Sequence, residues 1–276
     1  MKKGLRWVVS LEETMISSNL KNVFRRAIMC VSESDVDQQR RFRFKEDALA
    51  CLIGRLLPRK AAVLHTGATW SSLEFERNEK GKPSVRNAVE FEYNVSHHGD
   101  LVVMATGETR IGVDVMRIGE DRKETAGQQM DTLKRHFSQE EVETVKGKRN
   151  ETERWRAFFR IWCLKESILK ATGVGLPDGL HNHTFHVRDE NGPRCGVVTS
   201  SEYFHRLVPQ PQWIFEESFV GQNHCVAVAS ESTTSEAVPF EMTTLEDVLN
   251  DADFINVTAD VDEELDAFME KPNKPF

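Results

Sequence analysis

At 276 residues, with 39% apolar and 29% charged side chains, the chain has room for one large domain or two ordinary ones around a real core. No window approaches the ~18 apolar residues of a membrane span; the short apolar run Leu5 to Val9 carries Arg6 and meets Glu12 and Glu13, which argues against a signal peptide; five scattered cysteines without a Cys-x-x-Cys argue against a zinc ribbon or disulfide framework and for a reducing compartment. The net charge of −8 is uneven: Glu231 to Phe276 hold 13 acids and 2 bases, net −11, and residues 1–230 hold 31 acids and 34 bases, net +3.

In chain order, residues 5–11 read as a strand. From Gln39 to Leu57 the apolar residues Phe42, Leu49, Leu52, Ile53 and Leu56 recur at helical spacing, and Pro58 ends the pattern. Between Gln38 and Lys60 stand seven Arg or Lys against two acids. That surface suits phosphates or an acidic partner, and equally a plain solvated helix face. Residues 79–83 form a polar loop with turn chemistry. Phe91–Val95 is a strand running into a turn at Ser96-His97-His98-Gly99-Asp100. Leu101–Ala105 and Ile111–Met116 are further strands separated by a turn near Gly107. Residues 119–132 are a polar, mobile connection. Ser138 with Glu141 forms a capping box that opens a helix. A long helix runs from Glu151 to Thr172 and stops at Gly173-Val174-Gly175. Later strands are expected at 184–187, 196–199, 213–218 and 224–229. After Ser230 the acidic, Ser/Thr-rich composition predicts a loosely held tail, with Val248–Leu249 and Phe254–Ile255 as the pieces able to dock. Strands and helices mix without regular βαβ spacing, so the class is α+β.

On the long helix Trp155, Phe159, Trp162, Glu166 and Leu169 fall on one narrow stripe. A carboxylate among large apolar side chains needs a partner. Lys170, one turn on, is within reach. This is either a structural pair at the edge of a core or a metal ligand or general base with a neighbouring charge neutraliser. On the strand 111–116, Asp114 and Met116 share one face and Ile111, Val113 and Val115 the other. Asp114 faces water or, together with Glu166, holds a hard cation through oxygen; magnesium takes one or two carboxylates plus waters and phosphate oxygens. Met116 is a poor ligand for such an ion. Asn94-Val95-Ser96-His97 could cradle a phosphate with freed amides, an imidazole and a hydroxyl. Ser96 and His97 lack the G-x-S-x-G of a hydrolase elbow. Lys80-Gly81-Lys82-Pro83 lacks the pattern of a P-loop.

Taken in order, the strings RRFRFKEDA (40–48), GKP (81–83), YNVSHHGD (93–100), IGVDVM (111–116), FSQEE (137–141) and WCLKESILKATGVGL (162–176) resemble the 4′-phosphopantetheinyl transferases of the Sfp type, and their animal branch most closely. The last string matches the family's W-x-x-K-E-x-x-x-K signature. The resemblance runs from about residue 5 to 230. It implies two similar α+β halves related by a pseudo-twofold axis, 1–108 and 109–230, with the acidic tail 231–276 outside them and coenzyme A in the cleft between. Alternation alone would make 101–105 and 111–116 a hairpin; the resemblance instead puts the join of the halves near Gly107. The implied reaction moves 4′-phosphopantetheine from coenzyme A to a serine of an acyl carrier protein of the fatty acid synthase type, leaving adenosine 3′,5′-bisphosphate.

Carried over residue by residue, the resemblance makes Asp114 and Glu166 the magnesium ligands. Glu166 is also the base for the carrier serine and Lys170 the charge-stabilising group. Arg77, Lys80, Gly81, Lys82, Asn94, Val95, Ser96 and His97 then contact the cofactor. Met116 stands where many relatives have a further acid. Gln38 stands where they have a basic cofactor contact, for which Arg40 or Arg41 is the candidate substitute. The expected molecule is a cytosolic monomer with no nucleic-acid or membrane partner. Two alternatives stand beside it: a non-catalytic module that binds carrier or coenzyme A, and a magnesium-dependent phosphohydrolase. The mildly basic body suits an acidic carrier, and the acidic tail would compete for that surface.

Overall fold

The structure, a computed structural model, describes residues 4–79, 81–86, 88–119, 123–175, 179–188, 196–221, 223–232 and 237–274. β1 (Arg6–Ser10) ends where the Ser10 hydroxyl caps α1 (Leu11–Ile16); α2 (Leu20–Met29) and α3 (Glu33–Arg40) follow. α4 (Lys45–Thr66) is 22 residues long and stops at Gly67, at φ +72°. The single helix expected from Gln39 to Leu57 is therefore two, and Pro58 lies inside the second instead of ending it. Proline removes a hydrogen bond and crowds the carbonyl four residues back, at a cost of ~3 kcal/mol. That residue is Gly54 here, and the two turns after Pro58 bury Ala61 and Ala62 completely, which offsets the loss.

β2 (Phe75–Arg77) and β3 (Pro83–Val85) make a small hairpin around the polar loop. β4 (Glu92–His98) and β5 (Leu101–Gly107) pair through a two-residue turn that uses Gly99 at φ +62°. Ser96 and His97 thus belong to a paired strand, not to a turn. β6 (Ile111–Arg117) follows, then α5 (Ala126–Leu133) with its own Thr125–Gln128 capping box, inside the stretch expected to be a mobile connection. α6 (Gln139–Lys146) starts at the predicted Ser138–Glu141 box, and α7 (Glu151–Thr172) ends, as expected, at Gly173 with φ +65°. β7 (His183–His186), β8 (Glu202–His205), β9 (Val208–Pro209), β10 (Trp213–Val220), β11 (His224–Glu231) and β12 (Glu241–Met242) precede α8 (Leu245–Leu249) and α9 (Val261–Glu270). The strand expected at 196–199 is only a bridge from Val198 to Glu217.

One sheet has the order β12-β1-β5-β4, a second β10-β11-β6 and a third β7-β8-β9. β5 and β6 lie in different sheets and are not a hairpin. The first two sheets pack face to face: Val8, Leu101, Val103 and Ala105 of one meet Ile111, Val113, Val115, Val226 and Val228 of the other. The outer face of the first sheet (Val9, Val102, Met104) lies under α4, and that of the second under α7. The layers therefore run helix, sheet, sheet, helix. Buried ion pairs lock them. Arg6 of β1 meets Glu216 of β10 at 2.6 Å, and Arg160 of α7 meets Glu217 at 2.6 Å.

The tail is not loose. β12 adds to β1 in parallel, and Leu245, Val248, Leu249, Leu265 and Phe268 are buried in the first core. Phe268 stacks on Phe24 at 4.3 Å between centroids. Of the pieces thought able to dock, Val248–Leu249 do, Ile255 is half-buried, and Phe254 is exposed. Composition misled because a few apolar residues at helical spacing suffice to anchor an otherwise acidic segment. Its acids also meet the basic face: Glu264 pairs with Arg40, and Asp262 with Arg25.

Candidate active site

β4 and β6 are the facing edges of the two main sheets, and alternate side chains stitch them together. Asn94 Oδ1 accepts from the Val113 amide at 2.9 Å, the Ser96 hydroxyl donates to Asp114 Oδ1 at 3.0 Å, and His98 Nδ1 accepts from the Arg117 amide at 2.8 Å. The period-two side-chain alternation of a strand puts all three on one side. The motif Asn94-x-Ser96-x-His98 is thus a seam between sheets, and its Asn94 also lines the neighbouring recess.

α7 crosses this seam at backbone contact, which only glycine permits. A Cβ on Gly112 would lie 2.1 Å from the Ser167 carbonyl oxygen and 2.4 Å from the Ala171 nitrogen. The close approach brings Lys170 down on Asp114. Its ammonium donates to Asp114 Oδ1 at 2.6 Å and to Ser96 Oγ at 2.8 Å. Lys170 is therefore the partner of Asp114, and no hydrogen bond or ion pair of Glu166 is found among the described residues. The structural Glu166–Lys170 pair considered from spacing does not form.

Asp114 is 5% exposed, and its Oδ2 is buried with no hydrogen-bond partner among the described residues. Glu166 is half-buried one turn before Lys170. Burial first, and then the charge of Asp114, hold the Glu166 carboxyl above its ordinary range, while Lys170 pulls it back. Two carboxylates against one ammonium leave local negative charge with free oxygens. Among the described residues no group of three or more His, Cys, Asp or Glu could hold a metal ion. A cation here would rest on Asp114 and Glu166, with its other positions filled by water or substrate oxygen. Met116 shares the face of Asp114 and packs toward the core under α7.

Glu166 and Lys170 line a recess of about 280 Å³ with Gly81, Lys82, Pro83 and Asn94. Pro83 and Asn94 also line a larger cleft of about 760 Å³, which Val95 borders too. Lys82 ties the β2–β3 hairpin to the end of α7, bonding Glu92 at 2.7 Å and the Ala171 carbonyl at 3.4 Å. Arg77 borders the larger cleft and donates to the Gly81 carbonyl at 2.7 Å. His97 points away from the seam and is exposed. Lys80 lies outside the described residues.

Arg40 and Arg41 do not line the cleft: Arg40 is engaged by Glu264 from the tail. The residue that stands beside Gln38 is Arg55, which bonds the Gln38 amide oxygen and pairs with Asp35 at 3.2 Å. Arg55, Arg59 and Arg86 were missed as cleft residues. Arg55 and Arg59 lie on α4 beside its apolar stripe and Arg86 follows β3, so only the folding of the β2–β3 hairpin over α3 and α4 brings the three to one cleft. Also missed was Lys165, fully buried, which meets Glu141 at 2.9 Å and donates to the carbonyls of Leu180 and His183. Glu141 was legible as a cap, but its second role joins residues 24 apart in sequence.

The family profile described as 4′-phosphopantetheinyl transferase, N-terminal, matches residues 18–109, and that described as the 4′-phosphopantetheinyl transferase superfamily matches residues 110–229. The L-aminoadipate-semialdehyde dehydrogenase-phosphopantetheinyl transferases of Pongo abelii and Homo sapiens are 31% and 30% identical over 233 residues, covering 82% of this chain and 74% of theirs. The 4′-phosphopantetheinyl transferase of Bacillus subtilis is 30% identical over 165 residues, 60% of this chain and 70% of its own.

Proposed function

The chain belongs to the 4′-phosphopantetheinyl transferase superfamily, and we propose that it carries out the transfer at the recess formed by Asp114, Glu166 and Lys170. The reaction moves the 4′-phosphopantetheine group from coenzyme A to a serine of a carrier protein. The observation that carries the assignment of the site is the buried Asp114 Oδ2, without a hydrogen-bond partner among the described residues, beside Glu166. An orphaned carboxylate oxygen is costly unless a bound group completes it. A magnesium ion held by Asp114 and Glu166 fits that deficit, and would supply Lewis-acid stabilisation of the diphosphate.

The chain's own residues do the rest. Glu166, whose carboxyl is held above its ordinary range, takes the proton of the serine hydroxyl, which is a weak nucleophile until that proton leaves. Lys170, at the mouth of the recess, offsets the charge that grows on the oxygen leaving the β-phosphorus. Ser96 fixes the Lys170 ammonium and the Asp114 carboxylate against each other. Lys82 and Gly81 border the same recess and suit the diphosphate. Arg77, Arg55 and Arg86 border the larger cleft, suited to the nucleotide phosphates, with Asn94 and Val95 beneath. His97 remains a candidate contact at the outer face of β4.

The layer order supports two halves, 1–108 and 109–230, related by a pseudo-twofold axis with the site between them. Each half lays one 22-residue helix, ended by a left-handed glycine, on an antiparallel sheet. An acidic carrier of the fatty acid synthase type would be drawn to the arginines of the larger cleft, Arg55, Arg59, Arg77 and Arg86, and not to the chain as a whole, whose net charge is −8. A monomer follows if the two halves stand in for two subunits. A cytosolic setting suits four described cysteines that are all free. Among the described residues no helix is long and apolar enough to cross a membrane. The test is the mass of an apo-carrier incubated with the protein, coenzyme A and magnesium, with and without a chelator. Gain of one phosphopantetheine on serine, lost on chelation, is expected. Gain that persists in chelator overturns the role of the metal. Magnesium titrated into protein alone should bind the native chain and not Asp114→Asn.

A further inference from the structure

Two cysteines meet beneath the catalytic recess. Cys163 lies on α7, three residues before Glu166. Cys225 lies on β11 opposite Met116, and Ala227, two residues on, lies opposite Asp114. Paired residues on antiparallel strands share a face, so Cys225 stands on the face of the sheet that carries Asp114 and receives α7. The two sulfurs are 3.4 Å apart, and both side chains are buried and unoxidised. Cys163 Sγ also approaches the Cys225 carbonyl at 3.5 Å, and Cys225 Sγ the Met116 carbonyl at 3.6 Å. A disulfide has its sulfurs about 2.0 Å apart, so closing the bond needs only about 1.4 Å of further approach.

We propose that Cys163 and Cys225 are a redox modification site, a dithiol that closes to a disulfide and thereby reshapes the recess above it. With hydrogen peroxide as the oxidant, one sulfur attacks a peroxide oxygen and becomes a sulfenic acid, releasing water. The second thiol sulfur then displaces that hydroxyl as a second water, and the S–S bond forms. Two electrons pass from the sulfurs to the peroxide, and both thiol protons leave in the water. A reductant of the low-molecular-weight thiol class reverses the step by thiol–disulfide exchange.

The consequence follows from Gly112. α7 already touches the backbone of β6 there, so it cannot simply slide closer. The gap between the sulfurs closes by tilt or rotation of α7 about that contact. Either motion moves Glu166 and Lys170 relative to Asp114, whose bond to Lys170 is 2.6 Å in the reduced chain. Burial of the pair makes the reaction slow in the packed state, since burial holds the Cys163 thiol well above its ordinary range. Opening of α7 from β11 therefore sets the rate.

The test treats the full chain, Cys163→Ala and Cys225→Ala with hydrogen peroxide and follows each in two ways. Peptide mass mapping without reductant reports the bond, and holo-carrier formation reports its effect. The native chain should yield a Cys163–Cys225 crosslinked peptide and lose about tenfold or more of its transfer rate, with both changes reversed by dithiothreitol. Each single variant should show neither change, and either one that folds suffices. Absence of the crosslink in the native chain overturns the proposal. So does a crosslink that leaves transfer unaltered, or an equal loss in the alanine variants. The activity arm rests on the transfer reading. If the untreated chain modifies no carrier, that reading fails, while the crosslinked peptide still decides the chemistry of the pair.

Discussion

Replacing Gly112 by alanine tests the geometry on which the site depends. The new Cβ would stand 2.1 Å from the Ser167 carbonyl oxygen, 2.4 Å from the Ala171 nitrogen and 2.9 Å from its Cα. All three are helix backbone and cannot rotate aside. Ordinary contact lies near 3.4 Å, so α7 must retreat by about 1 Å. Overpacking of this kind costs about 1–3 kcal/mol, which for a domain of this size lowers the melting temperature by roughly 2–12 °C. The same retreat stretches the Lys170–Asp114 contact from 2.6 Å to beyond hydrogen-bonding range. A misplacement of ~1 Å can cost ~10² in rate. Thermal unfolding and carrier modification, measured on one preparation, read both effects. A variant that melts within about 1 °C of the parent and keeps at least half its turnover would show that the helix does not lie on β6 in this way.

Glu166→Gln and Asp114→Ala should each abolish transfer, a loss of at least ~10²–10³, while circular dichroism stays native; near-native turnover with labelled coenzyme A by either would remove its assigned role. Lys165→Met leaves Glu141 charged and wholly buried, which costs about 3–5 kcal/mol; adding Glu141→Gln should recover most of it, and urea midpoints without such recovery would contradict the pairing. Phe268→Ala should lose about 3–5 kcal/mol, and deletion of 231–276 should yield an insoluble chain. If the deletion folded and lowered the KM for carrier, the tail would be the competitor imagined from its charge and not part of the core.

Local chemistry made much of this legible. The Ser138–Glu141 box, the left-handed Gly173 and the stripe through Glu166 each follow from rules acting over one or two turns. What escaped depends on contacts distant in sequence. The Pro58 break was overruled by burial of Ala61 and Ala62. The tail was judged by average composition, although five apolar side chains decide its fate. Lys170 was matched to Glu166 because both lie on one helix, but Asp114, 56 residues earlier, takes the bond. Gly99 and the polar run before it mark a turn, and Ser96 and His98 read as part of it. The turn is real but only two residues long, and the polar side chains before it serve the neighbouring strand.

The docking of the last segment shapes how the molecule must be made. A nascent chain emerging from the ribosome presents β1, α2 and α4 early, but Leu245, Val248, Leu249, Leu265 and Phe268 complete their core. At ~5–20 residues per second, synthesis of the intervening stretch from 110 to 268 takes roughly 8–32 s. Throughout that interval Phe24 lacks its stacking partner and the outer edge of β1 is open. The first half thus keeps apolar surface open during translation, and a chain stopped before α9 should leave Phe24 without the ring that covers it.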